Sequence, residues 1–184
     1  MKIDIIKEDT DKGRKYMITN ELREALRVYI AENYAEIEDK CAEYEIDLSI
    51  TKDLNKSFSK KETFSLEELV NEVGESFHEM LFLKIDMSGM TDVEVYKRAN
   101  MDRKLFSKIR SNPAYHPRKQ TVLALAIALK LDLDGTVDLL SRAEYALSPG
   151  NKGDLIVKYF IERGIYDIQT INFALYEYDL PILG

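Results

Sequence analysis

Thr91-Asp92-Val93-Glu94-Val95-Tyr96-Lys97-Arg98-Ala99-Asn100-Met101-Asp102-Arg103-Lys104-Leu105-Phe106-Ser107-Lys108-Ile109 reads as two short helices joined by a tight turn. Thr91 followed three residues later by Glu94 is a capping box, in which hydroxyl and carboxylate satisfy a helix's first free amides reciprocally. That helix is predicted to run to about Ala99. Asn100 tolerates a left-handed backbone better than most residues, which suits the turn. Asp102 can cap a second helix over Arg103–Ser111, and Asn112-Pro113 ends it, since proline disfavours helical backbone in the preceding residue. Met101, Phe106 and Ile109 then face inward, while Arg103, Lys104, Ser107 and Lys108 face outward. A second helix studded with cations makes the pair a helix-turn-helix candidate.

Helical signals continue on both sides of this pair. Ser65-Leu66-Glu67-Glu68 fits a capping box, followed by an apolar ladder of Leu66, Leu69, Val70, Val73, Phe77, Met80 and Leu81. Pro117 precedes an Ala- and Leu-rich helix at about Arg118–Lys130. A further helix is expected over about Gly135–Ala146, where Ser148-Pro149-Gly150 breaks the pattern. Two more fit Asp154–Arg163 and Asp167–Tyr178. Leu180-Pro181-Ile182-Leu183 is too apolar for a free tail, so residues 154–184 are expected to fold back into one core.

The N-terminal part has a different texture. Lys2–Ile6 and Glu45–Ile50 alternate polar and apolar residues as short strands do. Between them lies a helical ladder of Leu22, Leu26, Tyr29, Ile30, Ile37 and Cys41, predicting a helix from about Asn20 to Cys41. The expected organisation is therefore a small αβ unit over 1–51, a linker over 52–64, and a helical domain over 65–184. The fold class is mainly α.

Composition narrows the function classes. Of 184 residues, 45% are hydrophobic and 32% charged, which excludes collagen-like and wholly disordered chains and supplies a core. No apolar run approaches the roughly 20 residues of a bilayer span, and no secretory signal is visible, so no membrane partner is expected. A lone cysteine cannot form an internal disulfide and fits a reducing, cytoplasmic setting. The net charge of −7 is unevenly spread. Residues 1–83 hold 12 Lys+Arg against 20 Asp+Glu, residues 149–184 hold 3 against 5, and residues 84–148 hold 11 against 8. The basic island thus coincides with the helix pair, which points to a partner more sharply than the total does.

Other chemistries lack their signatures. No glycine-rich phosphate loop, zinc-ligand spacing or nucleophile-base set occurs. His78 has no second metal-ligand candidate at useful spacing, His116 reads as a turn residue, and Cys41 lacks a cationic setting that would activate a thiolate. No catalytic residue, metal or cofactor is assigned, and an enzyme is not expected. The acidic stretch Glu32–Asp47 reads as a solvated face.

Gly89 to Leu140 resembles the DNA-binding domain of the lambda repressor/Cro-like, or Xre, helix-turn-helix family. The resemblance lies in the opening Met90–Val95, the recognition-helix run Met101–Ile109, Pro117 with Val122–Leu129, and Leu131-Asp132-Leu133 with Leu139-Leu140. Phe77–Gly184 is also similar to a C-terminal extension of some bacterial macro-domain proteins, and Lys15–Ala35 looks like the closing helix of such a domain. The ligand loops of a macro domain have no counterpart here, so no ADP-ribose site is carried over.

The first resemblance implies a bacterial transcription regulator that binds double-stranded DNA as a homodimer. Arg103, Lys104 and Lys108 would reach base edges, Ser107 a base or phosphate, and Arg118 and Lys119 the backbone; Arg110 is a further candidate contact at the helix end. The departures point to an alternative. Asp92 stands where the family often has a phosphate-holding Gln, Tyr96 where it has a small residue, and the loop Pro113-Ala114-Tyr115-His116 lacks the usual cations. These fit a protein-interaction adaptor that keeps the helix-turn-helix fold without binding DNA; the macro-domain resemblance implies a phage-defence or ADP-ribose-related system for it.

Overall fold

A computed structural model describes residues 7–8, 15–16, 18–43 and 75–184. The chain is mainly helical there. Strands β1 (Lys7–Glu8) and β2 (Lys15–Tyr16) pair antiparallel, with Lys7 opposite Tyr16 and Glu8 opposite Lys15. Eight helices follow among the described residues: α1 (Asn20–Glu43), α2 (Phe77–Ser88), α3 (Asp92–Arg98), α4 (Arg103–Ser111), α5 (Lys119–Ala128), α6 (Leu133–Arg142), α7 (Lys152–Glu162) and α8 (Ile168–Glu177). Both described strands precede α1. The strands expected at 2–6 and 45–50, the linker, and the Ser65 capping box lie outside the described residues.

α5 organises the bundle. Every residue from Thr121 to Leu129 is buried, so the helix has no solvent face and runs through the interior. Such all-round apolarity marks a central element rather than an amphipathic one. It contacts α3, α6 and α8, while α7 packs on α1, α6 and α8. Leu22, Leu26 and Ile30 of α1 join the same core as Phe106, Ile109, Tyr159, Phe160 and Leu183. The 154–184 segment is thus built into one core with the α3–α4 pair. No described helix is long and apolar enough to cross a membrane.

Helix ends follow side-chain chemistry that is mostly local. α3 and α4 begin and end within a residue of their predicted limits, as do α7 and α8 within two. Three boundaries differ. α2 opens inside the expected ladder, at Ser76, whose extended backbone (φ −66, ψ 164) caps the helix through a capping box with Glu79. α6 starts at Leu133, two residues before the predicted start, because Asp132 caps it by accepting from the Gly135 amide at 2.8 Å. It also stops at Arg142 rather than Ala146. Glu144 adopts φ 60, the Tyr145 amide donates to the Leu140 carbonyl, and the Glu144 amide donates to Ser141. That is the two-bond left-handed cap usually built with glycine. Here a glutamate fills it.

Candidate nucleic-acid interface

α3 is held at its start by Thr91. Its hydroxyl accepts from the Glu94 amide at 3.3 Å, and its own amide and hydroxyl donate to the Glu94 carboxylate at 2.8 and 2.9 Å. These bonds hold the Glu94 carboxyl below its usual range. Val95 and Ala99 are fully buried and root α3 in the core. The turn then uses Asn100 at φ 52, with the Asn100 amide donating to Lys97 and the Met101 amide to Tyr96. Asp102 accepts from the Lys104 amide at 2.5 Å and opens α4.

The inward and outward faces of α4 fall as its spacing predicts. Met101, Phe106 and Ile109 are buried, and Arg103, Lys104, Ser107 and Lys108 are exposed. Phe106 is ringed by aromatic neighbours, with Phe82 of α2 at 6.3 Å and Tyr96 of α3 at 6.0 Å between centroids. The large Tyr96 therefore props α4 through Phe106. Arg103, Lys104, Ser107, Lys108 and Ser111 line one shallow solvent-facing depression. Among the described residues, none of the three cations there lies within ion-pair distance of a carboxylate. Lys108 instead sits 4.3 Å over the Tyr115 ring, a cation–π contact that does not neutralise its charge.

The remaining candidate cations are placed differently. Arg110 turns toward α2 and α3: its Nε is 3.1 Å from Asp92 and its guanidinium 4.5 Å over Phe82. The Arg110 carbonyl accepts from His78 Nε2 at 3.1 Å, so that His78 nitrogen carries a proton. Arg110 and Asp92 line a groove beside the first depression, between α3 and α4. Arg118 is exposed at the start of α5. Lys119 is half-buried, its ammonium 2.5 Å from Asp154, a carboxylate only 5% exposed that also accepts from the Ser148 amide at 2.7 Å. Its charge is spent inside the fold.

No family model, curated protein or solved structure matches this chain.

Four of the seven candidate contacts, then, share one face; Arg110 adjoins it, Arg118 stands apart, and Lys119 is committed elsewhere. His116 stacks near Tyr145 at 5.2 Å, beside Glu144 at 4.0 Å, and makes a loop contact. Among the described residues, no three His, Cys, Asp or Glu side chains cluster closely enough to hold a metal ion. Chemically, the α4 face is dominated by donors: two ammonium groups and a guanidinium, with hydroxyls that can donate or accept. It suits acceptors on an anionic partner. Sequence reasoning missed Tyr115 as the platform for Lys108, because a loop aromatic seven residues away carries no periodic signal.

Proposed function

We propose that the protein is a DNA-binding regulator of the helix-turn-helix type, with α4 as the helix that enters the major groove. The carrying observation is the α4 face: Arg103, Lys104 and Lys108 exposed, without a carboxylate partner among the described residues, on a helix anchored by Phe106 and Ile109. A second observation removes an objection. Asp92, which would repel a phosphate, is neutralised by Arg110 at 3.1 Å. Arg103 and Lys108 supply donors suited to guanine edges, and Arg118 supplies a backbone contact. Reading a two-fold site calls for a second copy of the chain.

The adaptor reading draws support from one feature, the withdrawal of Lys119 into its pair with Asp154. It leaves the α4–α5 loop with Arg118 as its exposed cation, and few phosphate contacts mean a small counterion-release gain.

Fluorescence anisotropy with random and selected duplexes at several salt concentrations separates the two readings. Replacing Arg103 or Lys108 with Ala is expected to cost roughly 1–3 kcal/mol per base contact on a selected site. Arg118→Ala is expected to weaken binding to all duplexes alike and lower the salt slope by about one. Absence of binding at low salt overturns the regulator reading.

A further inference from the structure

The segment after α8 returns to the turn between α3 and α4. Asn172 of α8 holds it with both ends of its amide: Nδ2 donates to the Leu183 carbonyl at 3.0 Å, and Oδ1 accepts from the Leu183 amide at 2.7 Å. Asn172 and Leu183 are both buried, so these bonds are shielded from water. One turn earlier on α8, Gln169 Nε2 donates to Asn100 Oδ1 at 3.2 Å. Gly184 then lies directly on the turn backbone. A Cβ there would fall 2.6 Å from the Asn100 carbonyl oxygen and 3.1 Å from that of Ala99. The approach is backbone against backbone, at a φ of 108 that only glycine adopts freely.

What these contacts grip is the joint of the helix pair. Asn100 is a non-glycine residue at φ 52, a conformation that persists where its surroundings hold it. The direction in which α4 leaves α3 is set by the dihedrals of residues 99–102. On its inner side the joint is fixed by Ala99 and Met101 in the core. Gln169 and Gly184 meet it at Asn100, whose own side chain is exposed.

We propose that Leu180–Gly184, secured by Asn172, is a positioning element for α4. It seats on Ala99 and Asn100 and fixes the angle at which the cationic face is presented. Leu183 is the anchor, Gly184 the contact, and Gln169 a second tie to the same asparagine. That this angle sets affinity for DNA rests on the function proposed above; the hold on the turn does not.

Amide hydrogen exchange on the full chain tests the hold directly. The Leu183 amide reports the segment, and the Asn100 and Met101 amides report the turn, since each is hydrogen-bonded. Gly184→Ala introduces the forbidden Cβ, and Asn172→Ala removes both bonds to Leu183. In each variant, exchange at Asn100 and Met101 is expected to quicken about tenfold while the amides of α5 and α7 keep their protection. Faster exchange at Leu183 alone, or no change at the turn in Gly184→Ala, overturns the proposal. If Asn172→Ala does not fold, Gly184→Ala decides. Anisotropy on Gly184→Ala supplies the second readout. A roughly fivefold loss of duplex affinity with an unchanged salt slope is expected, as for a misaimed but equally charged helix. Unchanged affinity with a loosened turn overturns the positioning role. If the parent chain binds no duplex, the DNA reading falls and the exchange arms alone judge the hold.

Discussion

Arg110 and Asp92 face each other at 3.1 Å across the α3–α4 pair, with the arginine also lying on the Phe82 ring. Both side chains are substantially exposed, so the pair adds little stability, within about 1 kcal/mol. Its effect is on the local field. Arg110→Ala leaves Asp92 uncompensated beside the proposed DNA-binding face and is expected to weaken duplex binding without any lost DNA contact. Asp92→Gln is expected to strengthen it, and Arg110→Ala to cost little more in the Asp92→Gln background. A double-mutant cycle by anisotropy checks this; equal losses in Arg110→Ala with and without Asp92→Gln would mean that Arg110 touches DNA itself.

Lys119 and Asp154 make the opposite kind of pair, short and largely enclosed. Lys119→Ala leaves a buried carboxylate with the Ser148 amide as its remaining donor at that oxygen, and is expected to destabilise by about 3 kcal/mol. Asp154→Asn should cost less, because the amide oxygen still accepts from Ser148 and Lys119 keeps a route to water. Denaturant titration checks the order. In binding, Lys119→Ala is expected to leave the salt slope unchanged; a fall of about one would place the ammonium on a phosphate.

Phe106 joins three helices through its ring contacts with Phe82 and Tyr96. Phe106→Ala is expected to destabilise by roughly 3–5 kcal/mol, the cost of emptying an aromatic core site. In a chain of this size that lowers the thermal midpoint by about 10 °C. A midpoint within a degree of the parent would show that the site collapses without loss.

The capping boxes give stability a pH dependence of known sign. Backbone and hydroxyl bonds from Ser76 and Thr91 lower the Glu79 and Glu94 carboxyls from their ordinary value of 4.5. A carboxyl with a depressed folded value contributes stability that is complete above its unfolded value and is lost as pH falls through the folded one. The starts of α2 and α3 should therefore hold down to about pH 4.5 and fray below it. Side-chain carboxyl NMR titrations are expected to inflect below 4.5 for both residues. Glu94→Gln should remove the effect at α3 alone. An inflection at or above the ordinary value contradicts it.

The α3–α4 pair was legible because each of its signals is local: Thr91 with Glu94, Asn100 at the turn, Asp102 at the cap, Asn112-Pro113 at the stop. The start of α2 was obscured by competition between signals. The apolar ladder runs through residue 76 in register, although Ser76-Phe77-His78-Glu79 carries the same capping pattern as Thr91–Glu94. The end of α6 was hidden because glutamate takes the left-handed position that glycine normally announces. Charge partners were the least legible. Composition shows that Lys119 is a cation, but its carboxylate comes from α7, 35 residues later, and only the packing of α5 against its neighbours brings the two together.

α5 has no side that faces water, from Thr121 to Leu129. Surface helices can exchange their outer residues freely, whereas every substitution here must be accommodated by α3, α6 or α8 at once. The helix that follows α4 in the chain is thus closed to adaptation by single steps. A change of preferred partner can accumulate on the exposed residues of α4 and the loop before α5. Tolerance to random substitution should be lowest where no partner is ever touched.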